Sequence, residues 1–511
     1  MSFFKKWGRA RSNGRGGGQP VDTPFFHSSA GHKRPMTRRE LIGQGFLAGT
    51  GAVFMPGLLS LLWSQKAHGR ELVCAAGAAG GPRFVPFIVF DLAGGGNIPG
   101  SNVIVGKAGG QEDFLASYST LGLPDAMSPK NPGQTNNEYG LLFHADSAIL
   151  RGMNTATAAA TRAQVDGAAF LTSSNDDTGN NPHNPAYWIV KAGASGELVK
   201  LAGSRSSPSG GNSTSPAESI DPGARPVVIN RPQDVLGLIN PGKLATLLSG
   251  ADVERILKAA STMSGSQLAM FQEKDVNQQL KDLVECGYIN GGELVAQAAN
   301  AASLDPAQDP VIQQVFTALG NDADEQRTAS IAKLVLEGKA GAGTVTLAGY
   351  DYHDGSRATG ERKDEKLGRL IGQVLEVAAR KQSDVMIYVF TDGGVTSNGQ
   401  ADNSAAGRGK GGWQADSGQR SAAFSLVYNK DPGKRPPLAK EGRRQIGAFK
   451  DTGGVDENAN KISGSVVNLS RAVVANYLAL HGLEGKLTEV TGANPFGADL
   501  ASEYLAFTKL R

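Results

Sequence analysis

Four residues of this 511-residue chain combine reactive side chains with settings that would gather them: Asp91, Asp351, His353 and Asp392. Each acid stands at or just beyond an apolar run and next to glycines. Asp91 follows Phe84-Val85-Pro86-Phe87-Ile88-Val89-Phe90 and leads into Leu92-Ala93-Gly94-Gly95-Gly96-Asn97. Thr344-Val345-Thr346-Leu347 leads into Gly349-Tyr350-Asp351-Tyr352-His353, and Val385-Met386-Ile387-Tyr388-Val389-Phe390 ends in Thr391-Asp392-Gly393-Gly394. Carboxylates suit hard divalent cations, and an added imidazole suits zinc. One acid at a strand end often does no more than begin a turn, but several gathered at one sheet edge point to a site.

The elements that must position them follow from periodicity. The three apolar runs read as buried strands. Between the last two, Leu367, Leu370, Ile371, Val374, Leu375 and Ala378 mark one face of an amphipathic helix, so strand, helix and strand form a parallel crossover. In an open parallel sheet, ligands bind beyond the carboxyl ends of the strands, where these acids would meet. Gly203 to Pro216, nearly all Ser, Gly, Pro and Asn, reads as a flexible surface loop, and Arg225 to Asn230 as a short strand. Helical patterns dominate from Gln233 to Gly338, and Val466 to His481 forms a closing helix with Val467, Leu469, Val473, Val474, Tyr477 and Leu478 inward. Arg408-Gly409-Lys410-Gly411-Gly412-Trp413 reads as a mobile basic loop, with Arg408 and Lys410 placed to attract an anion.

Charge placement narrows the function. The net charge is +3, but residues 1–69 hold ten Lys or Arg against Asp22 and Glu40, leaving 41 basic and 46 acidic residues beyond them. That remainder, at −5, excludes a general nucleic-acid binder. Arg38-Arg39-Glu40-Leu41-Ile42 precedes a weakly apolar run to Trp63 and then Ala67-His68-Gly69, the layout of a twin-arginine export signal. The glycines of the run weaken it as a bilayer span, so the segment is expected to meet the membrane only transiently as a cleaved signal, with an uncleaved anchor as the alternative. The partition is a basic leader at 1–36, the signal at 37–69, a linker at 70–82, and one α/β domain at 83–511 with a helical insertion at about 233–338. Export implies a periplasmic or extracellular protein, with the twin-arginine machinery as its first partner. Cys74 and Cys286 are too few for a disulfide framework.

The order of these features resembles a family of twin-arginine-exported bacterial proteins of unknown function, domain-of-unknown-function family 1501, distantly related to the alkaline phosphatase and sulfatase superfamily. The resemblance rests on Arg38-Arg39, Ala93-Gly94-Gly95-Gly96-Asn97, Gly349-Tyr350-Asp351-Tyr352-His353 and Phe390-Thr391-Asp392-Gly393-Gly394. It implies a mostly parallel sheet between helices and adds Asp416, in Gln414-Ala415-Asp416-Ser417-Gly418, to the ligand set. There Ser417 replaces a histidine of the family pattern, and Val395 stands where the family has an arginine. The thinned set, Asp91, Asp351, His353, Asp392 and Asp416, suits one divalent metal, zinc, calcium or magnesium, and superfamily logic places a nucleophile at Thr172, Ser173 or Ser174.

Three functions are consistent with this reading. The leading one is a non-catalytic descendant of the fold working in envelope, secretion or surface interactions with a protein partner. The second is a metal-dependent hydrolase of phosphate or sulfate esters, with His353 as ligand or acid/base. The third takes Thr391-Asp392-Gly393 as the strand end of a magnesium-dependent integrin-like adhesion domain, but Asp91-Leu92-Ala93-Gly94-Gly95 lacks the serines that fold needs.

Overall fold

The computed structural model describes residues 84–174, 181–221, 225–238 and 304–511. Arg38, Arg39, both cysteines and residues 239–303 of the expected helical insertion lie outside them. In chain order the strands are β1 (Phe87–Ala93), β2 (Thr135–Asn136), β3 (Phe143–His144), β4 (Val165–Leu171), β5 (Val199–Gly203), β6 (Val227–Val228) and β7 (Ala340–Ala348). They continue as β8 (Val385–Thr391), β9 (Val395–Asp402), β10 (Lys410–Asp416), β11 (Ala422–Tyr428) and β12 (Gln445–Ile446). Eight of them form a sheet in the order β12-β4-β11-β8-β1-β7-β5-β6, and two ribbons, β2-β3 and β9-β10, stand beside it. Only β11 runs against its sheet neighbours.

The fold is therefore α/β with a mostly parallel sheet, and the three strands expected to carry the site are its contiguous centre. β1 pairs in parallel with β7 on one side and β8 on the other. Asp91 of β1 and a few threonines apart, all three carry apolar or small side chains along their buried lengths because both faces of the sheet are covered. The alternation of side chains sorts β1 between two cores: Ile88, Phe90 and Leu92 face one layer, Phe87 and Val89 the other.

The first layer contains α1 (Ala148–Ala156), α6 (Ala323–Leu336) and α7 (Ala358–Arg380); the second contains α3 (Ala186–Lys191) and α8 (Val466–Ala479). Short helices α2 (Ala159–Ala163), α4 (Pro232–Gly237), α5 (Pro310–Val315) and α9 (Leu487–Thr491) complete the set. The expected amphipathic helix is α7, with all six marked residues buried, and α8 buries five of its six, Val467 lying partly exposed. The crossing of α1 and α7 is so close that a Cβ at Gly368 would strike the carbonyl of Ile149. The described end of the helical insertion is part of the sheet's own cover: Ile331 and Val335 of α6 fill the space a side chain at Gly343 of β7 would need.

Two sequence readings change. The Ser/Gly-rich stretch 203–216 is packed down, with Ser209, Ser213 and Ser215 buried, because its main chain supplies the donor that Asp91 needs. The basic loop 408–413 enters β10, with Trp413 and Lys410 fully buried. No helix among the described residues is long and apolar enough to cross a membrane.

Candidate metal centre

The site begins with the glycine loop after β1. Tyr350 N donates to Ala93 O, extending the β1–β7 pairing one step past both strands and laying the Asp351 main chain against Gly94. Gly94 has φ +114°, and any Cβ there would collide with the Asp351 amide. Only glycine meets both conditions. From the other side, Thr391 at the end of β8 donates its hydroxyl to Gly94 O at 2.6 Å and accepts from Gly96 N at 2.8 Å. One hydroxyl thus fixes both flanks of the turn.

A second anchor holds the loop after β7. Tyr352 Oη accepts from Asn97 N at 2.6 Å and donates to Asp364 Oδ1 at 2.8 Å, while Asn102 Nδ2 donates to Asp364 Oδ2 at 2.8 Å. Asp364 projects from α7 and is fully buried, and burial pushes its carboxyl up to about 7. The two loops are therefore joined through one carboxyl beneath the site.

On this support Asp351, His353 and Asp416 converge. His353 Nε2 lies 2.6 Å from Asp351 Oδ1 and 3.3 Å from Asp416 Oδ2. The three ligand atoms all fall within 4.8 Å of one another, a spacing that can hold one metal ion. Asp416 is the last residue of β10, delivered by the β9-β10 ribbon, in which it pairs with Val395 just past the end of β8. His353 is half-buried and Asp351 and Asp416 are exposed, so a ligand reaches the cluster from solvent.

Asp91 and Asp392 do not join the cluster. Asp91 lies within β1 and is fully buried; its Oδ2 accepts from Asn212 N at 2.6 Å and from Thr346 Oγ1 at 3.0 Å, and burial raises its pKa to about 6. Asp392 is buried as well, and its carbonyl accepts from Ser174 Oγ at 2.6 Å and Asn181 Nδ2 at 2.9 Å. Thr172 is fully buried, its hydroxyl donated to Ile462 O at 2.6 Å.

A serine–histidine pair absent from the sequence reading sits beside Asp392. Ser174 Oγ lies 2.9 Å from His183 Nε2. The serine proton goes to the Asp392 carbonyl, which can only accept, so Nε2 of His183 must carry the other proton and donate to Ser174. A histidine that donates to a serine does not activate it as a base. His183 is buried against the Phe390 ring, and burial lowers its pKa to about 3.

Arg408 and Lys410 turn toward acids of their own. Arg408 grips Asp146 at 2.6 and 2.9 Å, and Lys410 Nζ reaches Glu361 at 3.0 Å and Asp146 at 3.3 Å. Burial would raise Asp146, but Arg408, Lys410 and Arg151 outweigh it and hold the carboxyl at about 2. His144, buried, and His481, half-buried, are structural: His144 Nε2 meets Met127 O, and His481 Nε2 accepts from Val85 N.

No protein-family model matches the chain. No curated protein matches it either.

Proposed function

We propose that the protein is an exported, single-metal hydrolase of phosphate or sulfate esters, of the kind the alkaline phosphatase and sulfatase resemblance implies. The observation that carries the reading is the meeting of Asp351, His353 and Asp416 beyond the carboxyl ends of the sheet's central strands. One imidazole and two carboxylates suit zinc, which takes three protein ligands in catalytic sites, better than calcium, which takes about six to eight oxygens. A metal there supplies charge that polarises an ester oxygen and acidifies water. The chain's own part is to hold the three ligands: Gly94 and Thr391 set the turn, Tyr352 and Asp364 join it to the ligand-bearing loop, and the β9-β10 ribbon brings Asp416. Because the hydroxyls of Thr172, Ser173 and Ser174 are donated to the Ile462, Ser463 and Asp392 carbonyls, the nucleophile in this reading is water rather than one of these side chains.

The non-catalytic envelope protein remains as a second reading, favoured by Ser417, whose hydroxyl accepts from Arg420 in the place where the resembled family has a histidine. Hydrolysis of p-nitrophenyl phosphate and p-nitrophenyl sulfate by the zinc-loaded protein separates the two. The hydrolase reading expects turnover of one ester that is lost in His353→Ala. A zinc-loaded protein inert toward both esters would leave the non-catalytic reading.

A further inference from the structure

The three ligands of the candidate centre come from two pieces of chain that no strand pairing joins among the described residues. Asp351 and His353 lie on the loop after β7, whereas Asp416 ends β10, and β10 pairs with β9 alone. That pairing sets Asp416 opposite Val395, just past β8, but its register breaks on both sides of Trp413, once between Gly411 and Trp413 and again between Trp413 and Ala415. Asp416 is thereby referred to β8. Its distance from the loop after β7 needs a separate cause.

Trp413 supplies one with both its main chain and its ring. Its N donates to Ser356 O at 3.2 Å and its O accepts from Gly355 N at 2.7 Å, so β10 is tied to the stretch two to three residues beyond His353. The ring is fully buried, its centre 6.4 Å from that of Tyr352, the residue between the two ligands, and 4.4 Å from the Arg357 guanidinium. The slot is shaped for an indole. A Cβ at Gly360 of α7 would come within 2.8 Å of Nε1 and 3.0 Å of the Tyr352 ring, and a Cβ at Gly122 within 2.8 Å of Cη2 at the far end. Nε1 is buried with no acceptor, which is a cost, so the residue contributes its extent and its aromatic face rather than its N–H.

We infer that Trp413 is the positioning residue that brings Asp416 opposite His353, holding β10 at a fixed distance from the loop that carries the other two ligands. The inference rests on the single-metal reading above. Ligand atoms about 2.0–2.2 Å from a tetrahedral zinc lie about 3.3–3.6 Å from each other. His353 Nε2 and Asp416 Oδ2 stand 3.3 Å apart, at that separation. Trp413 is only three residues from Asp416, and its ring packs on the residue between Asp351 and His353, so a slip of the ring shifts one half of the ligand set against the other.

The test is zinc affinity by competition titration, beside urea unfolding, on the full chain as wild type, Trp413→Leu, Trp413→Phe, Trp188→Leu, Asp416→Ala and Trp413→Leu with Asp416→Ala. The expected result is a loss of about ten-fold or more in Trp413→Leu. Trp413→Phe, which keeps an aromatic face toward Arg357 and Tyr352, should lose less. Trp188→Leu, which opens its cavity in the other core layer, should bind as the wild type does. Once Asp416 is gone nothing is left to bring into place, so Trp413→Leu should cost less than about two-fold in that background. Wild-type affinity in a folded Trp413→Leu, or the same loss with and without Asp416, overturns the inference and leaves the metal centre standing. If the leucine variant does not fold, Trp413→Phe takes its place in both backgrounds. No zinc on any protein, wild type included, would instead defeat the single-metal reading. Hydrogen exchange of residues 351–356 then decides the inference: it should quicken in Trp413→Leu and not in Trp188→Leu, and equal exchange in all three proteins overturns it.

Discussion

Replacing Asp364 by asparagine should change stability in a way that reverses with pH. Asp364 is fully buried, with its ordinary pKa of 3.8 raised to about 7 chiefly by burial, against the partial relief of donors from Tyr352 and Asn102. Because the folded value is the higher one, the native state holds an extra proton between these limits. Stability from this group is complete below pH 3.8, declines as pH rises, and is gone above about 7. A shift of about three units at 1.36 kcal/mol each amounts to about 4 kcal/mol across the window. The amide cannot ionise, but it turns its NH2 toward Tyr352 or Asn102 and loses roughly 1 to 2 kcal/mol of hydrogen bonding at every pH. The variant should therefore be less stable than wild type near pH 4.5 and more stable by about 2 kcal/mol at pH 8. Urea unfolding, followed through the buried indoles of Trp188 and Trp413, measures both differences. A difference between the two proteins that stays constant from pH 4.5 to 8 would refute the argument, since it would mean that Asp364 does not take up a proton on folding.

Other substitutions probe the supports of the site and its surroundings. Gly94→Ala forces a Cβ into the Asp351 amide at φ +114° and should weaken zinc affinity in a competition titration by about ten-fold or more. Thr391→Val removes both hydrogen bonds to the glycine turn and should cost about 1 to 3 kcal/mol in urea unfolding, with weaker metal binding. Glu361→Gln leaves Arg357 and Lys410 buried without their shared counter-charge, and should lower stability by about 3 to 5 kcal/mol while leaving ligand geometry intact. Ser174→Ala should leave ester turnover unchanged, because His183 donates to that serine rather than deprotonating it; a large loss of turnover would reverse that assignment.

β1 and β8 were legible because burial on both faces demands apolar runs, and Phe87–Phe90 and Val385–Phe390 supply them, whereas of β7 only Thr344–Leu347 stood out beside its glycines. β4 was not, since Asp166 and Gly167 interrupt Val165–Leu171; the aspartate is tolerated because Arg444 pairs with it at 2.7 Å. α7 and α8 announced themselves by their apolar spacing. At the site, Asp351 and His353 are two residues apart on one loop, so their proximity follows from the chain itself, whereas Asp416 arrives on a bulged ribbon whose register no local pattern specifies. Asp91 and Asp392 look the same in sequence as Asp351, each an acid beside glycines. What separates them is long-range: Asn212 and Thr346 close over Asp91, and Ser174 and Asn181 over the Asp392 carbonyl. Arg408 and Lys410 read as free cations because their counter-charges, Asp146 and Glu361, lie far away in the chain, the first 262 residues from Arg408.

The most direct test of the account is the metal content of the folded protein, measured by elemental mass spectrometry on wild type, His353→Ala and Asp416→Ala. The account predicts close to one zinc per chain in the wild type and little in either variant, with all three proteins folded. Metal retained by both variants, or none in a folded wild type given zinc, would contradict a centre built from Asp351, His353 and Asp416.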